Sequence, residues 1–279
     1  MLVMCTQIPE QMREMFDLGR PENLEAIRVV GEPGPNMEVL TNLSKQASDA
    51  LAVLTVAGRV LNHADVSQIL GISGDQAMQA LRELTDLGVA RSPKTGQFMA
   101  GLPGLLNWVD EVLTQNELEG YASAIARHFK HRTRPTDLGR FGAAMTRWYA
   151  LAGDRRRMLR DAQQVARWLE GEGWLDSVLD FYEYVADLVA NHHLGSPQAR
   201  IAFMLNRAEL ALQMSRLDVS ETSLQPVNAL SEMLRNDHGA IRGQLLRGQM
   251  AMQQDDLDEA FRHFRSAVES ARSVNDPDL

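Results

Sequence analysis

The stretch from Ala240 to Val274 restricts the fold more than any other part of the chain. Two amphipathic segments flank Gln254-Asp255-Asp256. The first carries Gly248 near its middle, and the second carries Ala260, Phe264 and Ala267. Apolar and small residues recurring every three to four positions predict helices, and the polar tripeptide predicts a tight turn between them. A small residue on one helix lets an antiparallel neighbour approach closely while an aromatic ring fills the groove. Such a pair cannot bury its apolar face alone, so it predicts further pairs stacked beside it.

Those pairs are legible upstream. Val178, Phe181, Tyr182, Val185, Leu188 and Val189 match Leu257, Ala260, Phe261, Phe264, Ala267 and Val268 at a constant offset of 79 residues, or two units of about 40. The intervening unit is expected as a helix over Ile201–Met214, a turn at Arg216-Leu217-Asp218 and a helix over Glu221–Leu234. Pro226 is expected in the first turn of that second helix or at a kink. Ala166, Ala208 and Gly248 hold equivalent small-residue positions at spacings of 42 and 40. The Ala-x3-Phe-x2-Ala spacing resembles the tetratricopeptide repeat, whose period is about 34 residues, so the helices or loops here are expected to be extended. The resemblance implies a helical solenoid of three to four pairs over 116–279, with a repeat face that holds a protein partner or an effector.

A second pattern lies over 41–101. Ser44–Ala57, Ala64–Leu70 and Asp75–Leu87 are expected as helices, the last capped by Ser73 and ended by Gly88. Val89–Ser92 and Gln97–Ala100 flank Pro93-Lys94-Thr95-Gly96 and read as a hairpin. Helix, helix, turn, helix and β-wing is the winged-helix order. The domain reading is therefore an N-terminal segment over 1–40, a winged-helix domain over 41–115 and helical repeats over 116–279. The fold class is all-α with a small β-wing. Within 1–40, Leu2–Cys5 and Leu24–Val30 have strand character, Gln11–Leu18 has helical character, and Gly31–Asn36 marks a boundary. Further helices are expected over Gly104–Leu113, Glu117–His131, Leu138–Leu151 and Arg155–Glu170.

Charge is unevenly spread. The whole chain carries -9, yet residues 127–160 hold ten basic side chains against two acids. A run of this kind points either to an anionic partner or to a solvated face paired with acidic repeats. Arg127, Lys130, Arg132, Arg134, Arg155, Arg156, Arg157 and Arg160 are the candidate partner-binding residues. Arg155-Arg156-Arg157 open a helix, where cations meet an unfavourable dipole and so call for a counter-charge. Trp148 and Tyr149 lie within the run and are expected in the core. The acidic total argues against a surface given over to nucleic acid. One cysteine, Cys5, excludes an internal disulfide and fits a reducing, cytoplasmic setting. No apolar run reaches the roughly 18–20 residues of a membrane helix.

The segment Leu51–Met99, then Trp148-Tyr149-Ala150-Leu151-Ala152-Gly153-Asp154, then the repeats, resembles bacterial signal-transduction ATPases with numerous domains, the group that includes the maltose-regulon activator. The resemblance covers roughly 44–274. It implies a nucleotide-binding domain before the winged helix and a repeat sensor after it, and makes 1–40 either a remnant of that ATPase domain or an unrelated beginning. Yet no Gly-x4-Gly-Lys-Ser/Thr loop is present, so no phosphate cradle is visible in this sequence.

Nothing else in the sequence carries chemistry. His128 and His131, and the adjacent His192-His193, lack converging ligands and are expected at the surface or at helix ends. Ser73 lies one position off a nucleophile elbow and is expected to be a cap. No catalytic residue, metal ligand or cofactor is expected. The expected function is a non-enzymatic regulatory and protein-interaction region of a transcription regulator, its repeats binding a partner or effector and its winged helix relaying state. The alternative is direct nucleic-acid binding through 127–160 with the winged helix as a platform. The helix expected in the recognition position argues against it, because Asp75, Glu83 and Asp86 outnumber Arg82.

Overall fold

The computed structural model describes residues 40, 42–101, 105, 109, 112–130, 138–191, 197–235 and 237–274. The expectations for 1–39 and most of Gly104–Leu113, and the candidates Arg132 and Arg134, lie outside these residues. The described chain is mostly helical with one small sheet. It divides into two compact units between Val165 and Ala166.

The first unit is built around α1, Lys45–Ala57, whose Ala47, Ala50, Leu51, Ala52, Val53, Leu54, Val56 and Ala57 are all buried. A helix apolar on every side belongs at the centre of a core. Burying Leu51 and Leu54 there contributes about 1.5–3 kcal/mol each. Ser44 caps α1 by accepting from the Ala47 N–H, and its own N–H and hydroxyl donate to Glu83 at 2.8 and 2.7 Å. That ties α1 to α3. A two-residue strand β1, Leu61–Asn62, leads into α2, His63–Leu70, and then α3, Gly74–Asp86. Ser73 caps α3 as expected, in a reciprocal box with Gln76.

Strands β2, Ala90–Lys94, and β3, Gln97–Ala100, close an antiparallel sheet in the order β1-β3-β2. The hairpin turn is narrower than the sequence suggested. Pro93 and Lys94 belong to β2 and only Thr95-Gly96 turn. Pro93 fits because β2 is an edge strand, where a missing N–H costs no ladder bond. The strand β1 was not expected, since two residues carry no period.

Helices α4, Gln115–Lys130, and α5, Leu138–Leu151, pack on this core. Trp148 is fully buried, donates its indole N–H to the Ala57 carbonyl at 3.2 Å and stacks on Phe129 with centroids 5.0 Å apart. Both Trp148 and Tyr149 are core residues, as expected. His128 lies near the end of α4, but it is not a surface residue. Its ring is buried and pairs with Asp65 at 3.0 Å. Sequence spacing cannot show a partner 63 residues away. A Cβ on Gly142 would meet the Val165 side chain at 2.2 Å, so α5 lies hard against the first part of α6, Arg155–Gly171.

The second unit takes in the end of α6, then α7, Leu175–Asn191; α8, Pro197–Gln213; α9, Leu217–Leu234; α10, Asp237–Gln253; and α11, Leu257–Val274. Helices of 17 or 18 residues, not long loops, account for the extended period. The first helices of the three pairs end alike. Gly173, Ser215 and Asp255 all have positive φ, and the next N–H donates back to Leu169, Ala211 and Ala251. These are Schellman caps, and they recur at 42 and 40 residues, the spacings read from the small residues. The turn after α8 is therefore at Ser215, one step earlier than expected, and α9 starts at Leu217. Pro226 consequently falls at the tenth residue of α9, not in its first turn. Ile201, Leu205, Ala208, Leu212, Leu224, Val227 and Leu246 form a core shared by α8, α9 and α10.

Candidate functional site

The basic run gathers part of itself around one cavity in the first unit. Helix α4 begins at a capping box, in which Thr114 and Glu117 satisfy each other's backbone N–H at 2.9 and 3.3 Å. From there Ser123, Arg127 and Lys130 follow at i, i+4 and i+7, one face of the helix. After α5, Gly153 takes φ +68 and reverses the chain, and Asp154 caps α6 by accepting from the Arg157 N–H at 3.0 Å. These pieces enclose about 240 Å³ lined by Ser123, Arg127, Lys130, Tyr149, Ala152, Asp154 and Arg157.

Three cations face one carboxylate there. Arg127 and Lys130 lie in the last turn of α4, where the helix dipole favours positive charge. Arg157 lies in the first turn of α6, where it does not, and Asp154 supplies the compensation at 3.3 Å. The Arg157 guanidinium also stands 5.8 Å from the centre of the Tyr149 ring. Burial, then the nearby Asp161 charge, pushes the Tyr149 phenol above its ordinary range, so it stays a neutral donor. Cations with hydroxyl donors beside them suit an anionic group, a carboxylate or a phosphate.

The other candidates lie elsewhere. Arg155 and Arg156 are exposed on the same first turn without lining the cavity, and Arg160 pairs with Asp161 at 3.1 Å. Ser123, Tyr149 and Asp154 were not candidates. The Ser123–Arg127–Lys130 spacing was the available signal for the first; the other two required the turn geometry. A separate open groove of about 700 Å³ runs along α3, lined by Asp75, Met78, Gln79, Arg82, Glu83, Asp86 and Leu87. Three carboxylates against one guanidinium make that groove acidic.

Among the described residues no group of three His, Cys, Asp or Glu side chains could hold a metal ion, and no helix is long and apolar enough to cross a membrane. Fold and site together describe an all-α chain with a small β part, a basic cavity and an array of helix pairs. No protein-family model matches the sequence, and no curated relative does. A solved structure is similar: a signal transduction ATPase with numerous domains that has a tetratricopeptide repeat sensor, from Pyrococcus horikoshii. The likeness is 14% identical with a TM-score of 0.33, over 98% of this chain and 46% of that one.

Proposed function

We propose that this chain is a non-enzymatic regulatory and protein-interaction region of a transcription regulator, working without a cofactor of its own in the cytoplasm. The observation that carries the reading is the convergence of Arg127, Lys130 and Arg157 on one cavity. A carboxylate from an acidic partner, or an anionic effector, is the complementary group. The repeats supply a second face for a partner. The order α1-β1-α2-α3-β2-β3, with the sheet β1-β3-β2, supports reading the first unit as a winged-helix module. The acidic groove on α3 favours a protein contact there over DNA, because phosphates would face Asp75, Glu83 and Asp86.

The test pairs a fluorescent glutamate-rich peptide with a 30-base-pair duplex, at about 50 and 200 mM salt. We expect the peptide to bind the wild type and to lose about 10-fold or more in affinity to an Arg127→Glu/Lys130→Glu/Arg157→Glu variant. Duplex binding that falls steeply with salt would transfer the site to nucleic acid. Nucleotide hydrolysis by the purified chain would overturn the non-enzymatic reading.

A further inference from the structure

The charge lining the basic cavity does not balance. Arg127, Lys130 and Arg157 face one carboxylate, Asp154. Asp154 is committed to its own helix. One of its oxygens accepts from the Arg157 N–H at 3.0 Å, and the other meets the Arg157 guanidinium at 3.3 Å. Two further acids stand nearby, outside the lining. Asp161, whose charge acts on the Tyr149 phenol, pairs with Arg160 at 3.1 Å. Glu119, one turn before Ser123 on α4, accepts from Gln115 at 2.9 Å. The lining side chains therefore carry three positive charges and one negative, a balance of +2.

The donors also come from three separate elements. Arg127 and Lys130 stand on the last turns of α4, with Ser123 one turn before them; Tyr149 belongs to α5 and Arg157 to α6. A carboxylate brings two coplanar oxygens and one charge, and a single guanidinium fork satisfies it. It would leave half of the charge balance and the hydroxyls of Ser123 and Tyr149 unmet. A phosphate monoester brings three terminal oxygens and nearly two charges at neutral pH, which matches both the charge and the spread of the donors. A phosphodiester has the tetrahedral shape but only one charge. The cavity, at about 240 Å³, is smaller than the roughly 300–1,000 Å³ of a site for a drug-sized molecule, so it suits a head group and little more.

We propose that this cavity binds the dianion of a phosphate monoester, carried by a small effector or by a phosphorylated side chain, in preference to a carboxylate or a phosphodiester. The proposal rests on the reading of the cavity as an anion site and narrows that site to one chemistry. Arg127 and Arg157 approach the group from opposite helices, and both are exposed enough to be replaced without disturbing the core.

Isothermal titration calorimetry on the full chain with phenyl phosphate, methyl phenyl phosphate and benzoate tests it. At about pH 7.5 we expect phenyl phosphate to bind at least about 10-fold more tightly than either monoanion. Lowering the pH to about 5 should weaken phenyl phosphate about 10-fold, because the monoester loses its second charge near pH 6. Benzoate stays ionised over that range, so its affinity should hold and controls for protonation of the protein. Arg127→Gln and Arg157→Gln should each weaken phenyl phosphate by about 10-fold or more while keeping the helical circular dichroism. Arg156→Gln, on the same turn but outside the lining, should leave binding unchanged. A phosphoserine peptide separates the two sources: binding about 10-fold tighter than phenyl phosphate assigns the ester to a partner protein, and equal or weaker binding assigns it to a small effector. Phenyl phosphate held no more tightly than benzoate or the diester overturns the proposal. So does an affinity indifferent to Arg127→Gln and Arg157→Gln. Benzoate or the glutamate-rich peptide binding without phenyl phosphate overturns the monoester alone, whereas binding of no anion overturns the anion site with it.

Discussion

Gly248 shows how much one absent side chain decides. A Cβ there would stand 2.5–2.8 Å from three atoms of the Phe264 ring. The ring cannot occupy its present position beside an alanine, so α10 and α11 would separate or Phe264 would turn toward solvent. We expect Gly248→Ala to destabilise the second unit by about 1–3 kcal/mol in urea unfolding, with Phe264→Leu partly restoring the double variant. An additive pair would show that ring and glycine do not share the space. This contact was legible in the sequence, because a small residue and an aromatic at repeat spacing have few other uses. The pairing of His128 with Asp65 was not, because its partners belong to helices far apart in the chain.

At the scale of the helix, ends matter as much as faces. Helix starts were readable where a Ser or Thr side chain supplies the cap, as at Ser44 and Ser73. The turn at Ser215 was misplaced by one residue because a serine at positive φ gives no sign of its conformation. Holding φ at 58° costs a residue with a Cβ, and glycine avoids that cost. The expected result of Ser215→Gly is therefore a net gain of about 0.5–1 kcal/mol, what remains of a left-handed cost of about 1–2 kcal/mol after the extra chain entropy of glycine. Differential scanning calorimetry would read it as a rise of about 2–4 °C in Tm. A fall would mean that the serine hydroxyl contributes more than the backbone strain costs.

Over the whole molecule, each unit holds a half-buried tyrosine hydroxyl against a carboxylate. Tyr121 donates to Asp49 at 2.8 Å in the first unit, and Tyr182 donates to Glu170 at 2.9 Å in the second. Burial first, then the accepting carboxylate, raises both phenols above their ordinary value near 10. A folded value above the unfolded one means that this stability is complete below about pH 10 and is lost as pH rises toward the folded values. We expect urea midpoints to be flat across neutral pH and to fall above about pH 10. The alkaline slope should shrink in Tyr121→Phe and Tyr182→Phe, each of which loses about 0.5–1.5 kcal/mol at neutral pH. An unchanged slope in both variants would assign the alkaline loss to other groups. Of the candidate site, the sequence revealed the charge and its rough address. It did not reveal which cations meet, because that depends on the reversal at Gly153 that brings Arg157 to the face of α4 bearing Arg127 and Lys130.

The shared backbone caps at Gly173, Ser215 and Asp255 have a consequence for how such a chain can evolve. Because each first helix closes in the same way, the segment from one cap to the next is an interchangeable block whose two joints match. Gain or loss of a whole block preserves the joints. Array length is thus free to drift by duplication and deletion, while single-residue insertions within a helix are penalised, since each rotates a helix face out of register by about 100°.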